Sequence, residues 1–208
     1  MSNDLSQLMA PEELADLKAN AAAAEADFGL RSGFLIDLLS EADDWSFIIK
    51  AHAFLESAVN RLICHHLAKP DISDSLSRIG IRRLTELAEA MGLLPKDEVR
   101  MIGHLGQLRN ALVHKPSNTG FALSEYLADS NARIRFGESF SVAWSTTADV
   151  KSDADAQEFA VSEPRLGILM SVLLVAVRCA AAKSEKDLEK MQAEFGRLWL
   201  NRPDKSTR

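Results

Sequence analysis

The most informative segment of this sequence is Leu105-Gly106-Gln107-Leu108-Arg109-Asn110-Ala111-Leu112-Val113-His114, which is followed by Lys115-Pro116. Apolar residues recur in and before it every three or four positions, at Met101, Leu105, Leu108 and Leu112. This spacing predicts an amphipathic helix with one buried face. Because a proline disfavours the helical conformation of the residue before it, we expect the helix to end at about His114. Arg109, Asn110 and His114 are polar residues off the apolar face, close to that end.

The side chains of Arg109 and His114 would point in different directions on an ideal helix. Five positions correspond to a rotation of about 140°. The two side chains would therefore form a close pair only if the last turn relaxes, or if a second copy of the helix brings both sets into one cleft across a two-fold axis. In such a cleft His114 could move a proton to or from an RNA 2′-hydroxyl or 5′-oxygen. Arg109 could hold the phosphate, with Asn110 as a hydrogen-bonding neighbour.

A purely structural role for the same residues is the alternative interpretation. Arg109 would then pair with a carboxylate inside a helical bundle, and His114 would only end its helix. Glu56 is the natural partner, since it stands among apolar residues on a second long helical segment and a buried carboxylate is costly unless it is paired. We therefore predict an ion pair between Glu56 and Arg109 that supports the site.

Composition indicates one globular domain with appendages. The chain has 208 residues, 47% hydrophobic and 26% charged, with a net charge of −6, values that are ordinary for a globular protein. Residues 46–116 carry ten bases and seven acids. This permits contact with phosphate but is far from the basic footprint of a dedicated DNA-binding protein. No basic recognition helix of the helix-turn-helix kind is visible, so direct sequence-specific DNA binding is doubtful.

Helical periodicity extends over most of the chain. We predict a peripheral helix or arm in residues 1–30, a single helical domain over residues 31–200, and a charged tail at residues 201–208. Inside the domain, Trp45 to Ala68 forms a long helix capped by Asp43 or Asp44, and residues 164–182 form a strongly apolar one. A last helix is expected from Ser184 to Leu200, and residues 145–161 are expected to be a loop.

One segment departs from this periodicity. Apolar residues alternate with polar or small ones between Arg133 and Trp144, around Gly137-Glu138. This alternation predicts a small β-hairpin at about residues 132–144, and a helix that continues from Phe121 is the competing interpretation. The predicted fold class is thus mainly α, an up-and-down helical bundle with a possible hairpin insertion.

Metal and membrane sites are not expected. His65 and His66 are adjacent and point about 100° apart on a helix, and no partner occurs at the spacing of a zinc motif. We therefore predict no metal and no cofactor, and interpret His52 and His104 as ordinary surface or partly buried histidines. The apolar run that contains Arg178 is shorter than the about 20 residues that a membrane span needs. A polar, acidic N-terminus and two cysteines inside apolar helical runs fit buried free thiols and a cytoplasmic location.

The segments Leu87-Ala88-Glu89-Ala90-Met91-Gly92-Leu93-Leu94-Pro95-Lys96-Asp97-Glu98 and Leu108-Arg109-Asn110-Ala111-Leu112-Val113-His114 resemble the core of the mannitol-operon repressor family. More widely they resemble the HEPN superfamily, whose signature is an arginine and a histidine separated by four to six residues. The resemblance covers roughly residues 45–116. It implies a helical bundle that dimerises through the motif helices, with Arg109, Asn110 and His114 as the positions carried over.

Two functions follow from this resemblance. The first is a regulatory or interaction protein of the mannitol-repressor type that acts as a homodimer through a protein or nucleic-acid partner. The second is a metal-independent endoribonuclease, a toxin or defence effector, that uses Arg109, Asn110 and His114. One toxin branch carries a tyrosine two residues after the histidine, and here Pro116 stands at that position. A small basic cluster, Arg78 with Ile81-Arg82-Arg83, is expected near the start of the motif helix as a solvated face or an RNA path.

Overall fold

The chain forms a bundle of α-helices in the computed structural model, which describes residues 11–67, 69–114, 120–142 and 152–180. The main helices are α1 (Pro11–Phe28), α2 (Phe34–Leu39), α3 (Asp44–His66), α5 (Ile81–Ala90), α6 (Lys96–Val113), α8 (Ser130–Phe140), α9 (Asp153–Ser162) and α10 (Pro164–Ala180). Short helices α4 (Ser73–Leu76) and α7 (Leu123–Tyr126) and a 3-10 turn at Pro70–Ile72 lie between them. Within these residues no β-strand occurs, so the predicted mainly α fold class is confirmed.

Helix α3 is the central element because it packs against α10, α5 and α6. The Asp43 side chain caps its first turn by accepting a hydrogen bond from the Ser46 amide at 2.6 Å, as an N-cap aspartate does. Its buried residues recur at helical spacing and face α10 and α6: Phe47, Ile48, Ala51, Leu55, Ala58, Val59, Leu62 and Ile63. The pattern of apolar residues in the sequence therefore located this core helix correctly.

Ion pairs show how the helices run relative to one another. Arg165 at the start of α10 contacts Asp44 at the start of α3, with Nε 2.6 Å from Oδ1. Arg178 near the end of α10 contacts Glu98 at the start of α6, with Nη2 2.7 Å from Oε1. Helices α3 and α10 therefore run in the same direction, and α6 runs antiparallel to both. The end of α6 thus lies at the end of the bundle where α3 and α10 begin.

The hairpin predicted at about residues 132–144 is wrong over its described part, because residues 130–140 form helix α8. Asp129 caps this helix through a 2.7 Å hydrogen bond from the Ala132 amide. Ala132, Phe136 and Phe140 are buried at spacings of four residues, whereas Ile134 is 58% exposed. The alternation in the sequence was therefore misleading: Phe136 and Phe140 share one helical face, and Ile134 lies outside it. Residues 143 and 144 lie outside the described residues.

Helix α9 occupies part of the segment that was predicted to be a loop. The Ser152 side chain caps it by accepting from the Asp155 amide at 3.2 Å, and Phe159 is the only large apolar side chain on its buried face beside Ala156, Ala160 and Val161. Gly137 of α8 and Gly167 of α10 allow this helix to approach closely. A Cβ at Gly167 would lie 3.1 Å from the Cα of Ala160. Small residues at these contacts explain why the segment has a weak sequence signal.

Other predictions are confirmed or lie outside the described ranges. A helix is present at Pro11–Phe28 within the segment 1–30, and the apolar helix α10 is buried from Leu166 through Val177. Within the described part of the chain, no single helix is long and apolar enough to cross a membrane. The helix predicted at 184–200, the tail at 201–208 and the first ten residues of the arm all lie outside the described residues.

Candidate functional site

The three motif residues lie at the C-terminal end of α6, and we call Arg109, Asn110 and His114 the motif end. Helix α6 is described as Lys96–Val113, and its buried face contains Met101, Leu105, Leu108 and Leu112, as predicted. His114 is the C-cap: its backbone remains in the right-handed region (φ −82°, ψ −5°), and its amide donates to the Asn110 carbonyl at 3.1 Å. The last turn therefore stays close to helical geometry.

This geometry leaves the imidazole of His114 without a contact to the guanidinium of Arg109. Arg109 Nη1 instead donates a hydrogen bond to Asn110 Oδ1 at 3.0 Å. Asn110 and His114 are exposed, and Arg109 is half-buried. Val113 adds an apolar patch beside them, with 42% of its surface exposed. A single chain thus presents the arginine and the asparagine together and the histidine on another side of the same exposed helix end.

The predicted ion pair between Glu56 and Arg109 is not made. Glu56 is half-buried on α3, and no ion pair within the described residues includes either side chain. The guanidinium of Arg109 therefore keeps its positive charge without a carboxylate partner in this part of the chain. A cation of this kind can bind an anion from another molecule at little cost to the fold.

His52, predicted to be an ordinary surface or partly buried histidine, is a neighbour of the motif end. Its imidazole is buried, and its Nε2 lies 3.9 Å from the point where a Cβ on Gly106 would stand. Burial, and secondarily the charge of Arg109, lowers the pKa of His52 to about 4. Among the described groups it has no hydrogen-bond partner. One sequence signal was available: His52 follows Ile48 by four positions and precedes Leu55 by three, so it falls on the buried face of α3.

The second buried histidine, His104, has a different environment. Its Nδ1 forms a hydrogen bond with Ser139 Oγ at 2.9 Å, and its Nε2 forms one with Tyr126 Oη at 3.1 Å. Its ring packs against Phe136 and Phe140. His104 therefore joins α6 to α7 and α8, which is a structural task, and burial lowers its pKa. The prediction of surface or partly buried histidines is therefore wrong for both residues, because His52 is 7% and His104 8% exposed.

The basic cluster of Arg78, Arg82 and Arg83 was predicted to lie near the start of α6, and the structure places its helix α5 beside a different part of α6. Ile81 Cγ2 is 3.8 Å from the position of a Cβ on Gly106, so the first turn of α5 packs beside the second half of α6 and not beside its start. Arg83 and Arg78 are exposed and lack a carboxylate partner among the described residues, while Arg82 pairs with Glu86 at 3.0 Å. Arg82 and Arg83 directly follow Ile81 and therefore lie on the helix turn that packs beside Gly106.

No group of three or more histidine, cysteine, aspartate or glutamate side chains in the described ranges could hold a metal ion. Cys64 and Cys179 are both buried free thiols. Burial raises the pKa of each thiol, which disfavours the reactive thiolate form. The polar side-chain groups of the motif end are the guanidinium of Arg109, the amide of Asn110 and the imidazole of His114.

Comparisons with known proteins add no relative to this description. No family model matches the chain, and neither a curated protein nor a solved structure matches it.

Proposed function

We propose that this chain is a regulatory or interaction protein of the mannitol-repressor-like HEPN type, which acts as a homodimer and binds RNA through the motif end. The observation that carries this proposal is the guanidinium of Arg109, which lies at an exposed helix end and has no carboxylate partner among the described residues. An arginine in this state is suited to bind a phosphate oxygen, because its donors are arranged in a planar fork.

The charges around the motif end favour a nucleic acid over a protein as the partner. Arg78 and Arg83 lie on or before the first turn of α5, which packs beside Gly106. Arg83, on this first turn, and Arg109 are cations without a carboxylate partner among the described residues, in a chain whose net charge is −6. A local cationic surface on an acidic protein supports contact with the phosphate backbone. A protein partner would instead be favoured by a large exposed apolar surface at this end.

The orientation of the motif residues favours binding over cleavage. General acid–base catalysis requires the imidazole and the phosphate-binding group to reach the same reacting atoms. Arg109 bonds to Asn110, whereas His114 is separated from Arg109 by about 140° of helix rotation. One chain on its own therefore does not assemble the catalytic group, and a regulator needs only the exposed cations.

A metal-independent endoribonuclease is the second candidate, and it is favoured by the presence of the exposed His114 and the half-buried Arg109 at the same helix end. In a homodimer, His114 of one copy and Arg109 of the other could face one RNA phosphate across the two-fold axis. His114 would then move a proton, while Arg109 would stabilise the developing negative charge. Both candidates share one fold, so chemistry must separate them.

The distinguishing experiment incubates the purified full chain with single-stranded RNA in EDTA and follows binding and cleavage together. The regulator predicts RNA binding without cleavage. The nuclease predicts cleavage that is lost in His114→Ala, while a His65→Ala control on another helix retains it. Cleavage that survives His114→Ala rules out the motif end as a catalytic site, and absence of RNA binding contradicts the proposed partner.

The homodimer is tested by light scattering on the full chain. Val113 is an exposed apolar residue at the motif end, so Val113→Glu should place an unpaired charge in the proposed interface and shift the mass towards that of a monomer. Ile134→Glu is the matched control, because Ile134 is also exposed but lies on α8. A wild-type protein that remains monomeric, or two variants with the same mass as the wild type, would contradict dimerisation through α6.

A further inference from the structure

A cavity of about 580 Å³ lies at the other end of the bundle, where α3 ends. Its size falls within the range of small-molecule sites, roughly 300–1,000 Å³. The second half of α3 contributes Ser57, Asn60, Arg61, Cys64 and His65, and the first residue of α4, Ser73, closes the opposite wall. The motif end takes no part in this cavity, because α6 runs antiparallel to α3.

The inner wall of the cavity is fixed by hydrogen bonds that are already complete. Asn60 Nδ2 donates to the Ser73 carbonyl at 3.0 Å, and Asn60 Oδ1 accepts from Cys64 Sγ and Ser73 Oγ, each at 3.3 Å. Burial raises the pKa of the Cys64 thiol, so it remains a neutral group. This wall joins α3 to α4 and leaves ligand binding to the other side chains.

The remaining side chains are hydrogen-bond donors. Arg61 Nε donates to His65 Nε2 at 3.3 Å, and Nδ1 of the same ring has no hydrogen bond among the described residues. The guanidinium carbon lies 5.2 Å from the centroid of the Phe28 ring, a cation–π contact, and the two terminal nitrogens of Arg61 have no partner among the described residues. Ser57 contributes a hydroxyl that is likewise unpaired in the described part of the chain.

We propose that this cavity is a binding site for a small organic anion, whose oxyanion group is held by Arg61 with His65 and Ser57. The chemistry of the donor set carries the proposal. A guanidinium placed over an aromatic ring, with free terminal nitrogens and no carboxylate partner in the described residues, is suited to bind a carboxylate or phosphate group. The volume leaves room for a short apolar body against the neutral Cys64 and Asn60 wall.

Asp71 sets the electrostatic limit of this site. Its carboxylate acts on the Cys64 thiol, where it is a smaller cause of the raised pKa than burial, so it lies close enough to repel a bound anion. Asp71→Asn should therefore tighten anion binding. Weaker binding in this variant would contradict an anionic ligand and would indicate a ligand with a positive group instead.

The probes are butyrate, inorganic phosphate and the uncharged isostere butyramide, titrated into the full-length protein and followed by amide chemical shifts. We expect at least one of the two anions to move signals within residues 57–73, and butyramide to bind at least about tenfold more weakly. If neither anion moves these signals, or if butyramide binds as well as butyrate, the proposal is overturned.

Substitutions inside and outside the cavity show where the anion binds. Arg61→Met should weaken anion binding by about tenfold or more, whereas Arg83→Met, an exposed arginine on α5, should leave it unchanged. Ser57→Leu tests the site independently if Arg61→Met does not fold, because it fills the cavity from an exposed position on α3. Anion binding that survives both substitutions contradicts the assignment. RNA binding should be unaffected in Arg61→Met and Ser57→Leu, so a failure of this proposal can be told apart from a failure of RNA binding at the motif end.

Discussion

The two ends of α6 use charge in opposite ways. At its start, Glu98 is fully buried and accepts three contacts from Arg178, all between 2.7 and 3.0 Å. Near its end, Arg109 is half-buried, and its only hydrogen bond among the described residues is to the adjacent Asn110. The carboxylate of Glu98 has a structural role, since its ion pair with Arg178 joins α6 to α10. The charge of Arg109 is left available for another molecule, which is what a functional residue on a structural helix requires.

The largest effect on stability is expected at the start of α6, where Glu98 is buried. Arg178→Met leaves the carboxylate of Glu98 buried without a partner, and such a change destabilises proteins by about 3–5 kcal/mol. Urea unfolding followed by circular dichroism measures it. Arg82→Met is the matched control, because Arg82 also pairs with a glutamate but both side chains are exposed, and it should change the free energy of unfolding by less than about 0.5 kcal/mol. Equal losses in the two variants would contradict the buried role of Glu98.

The decrease in the free energy of unfolding caused by Arg178→Met should also depend on pH. Burial already raises the pKa of Glu98, and removing the arginine that opposes this shift raises it further. A carboxyl group whose pKa is higher in the folded state favours folding below its unfolded pKa and loses that contribution as the pH rises. The deficit relative to wild type should thus be larger at about pH 8 than at about pH 4.5. A deficit that is independent of pH would show that Glu98 does not titrate.

A smaller effect on stability is expected at His52, which is a neighbour of the motif end. Its pKa is about 4 in the folded state and 6.5 as a free side chain, so the unfolded state takes up a proton first as the pH falls. Folding is unaffected above pH 6.5 and loses up to about 3 kcal/mol between pH 6.5 and 4. His52→Gln should remove this part of the acid sensitivity in urea unfolding, and His104 should contribute the part that remains. An unchanged pH profile would contradict a buried, neutral His52.

The smallest effect on stability is expected for Arg109→Ala. With no carboxylate to leave unpaired in the described residues, its free energy of unfolding should lie within about 0.5 kcal/mol of wild type. The pKa of His52, followed by the imidazole signals in NMR, should rise only slightly, because burial is a larger cause of its shift than Arg109. A loss as large as that in Arg178→Met would mean that Arg109 serves the fold after all.

The sequence predicted the helices whose buried face is made of large apolar residues. In α3 and α6 those residues recur at helical spacing, so both helices and the position of the motif end followed directly from the pattern. Helix α8 was mistaken for a hairpin because Ile134, an exposed residue, completed a false alternation. Helix α9 was missed because small residues such as Ala156 and Ala160 form much of its buried face, and these carry little hydrophobic signal.

The candidate site was predictable in its residues but not in its contacts. Arg109, Asn110 and His114 follow one another on one helix, so local geometry places them at its end. The ion pair from Glu56 depends on how α3 rotates against α6, and that rotation is a property of packing that a single sequence does not contain. The same rotation buries His52 beside Gly106 and brings the first turn of α5 to the second half of α6. Gly106 leaves the space for this approach, since its missing side chain faces both His52 and Ile81.

The most direct test of RNA binding at the motif end uses a fluorescently labelled single-stranded RNA and the full-length protein. The affinity is measured by fluorescence anisotropy in EDTA for wild type and for Arg109→Ala. The account predicts binding that weakens by about tenfold in Arg109→Ala, in a protein that is as stable as wild type. Equal affinities for the two proteins would contradict the claim that Arg109 is held free for a phosphate.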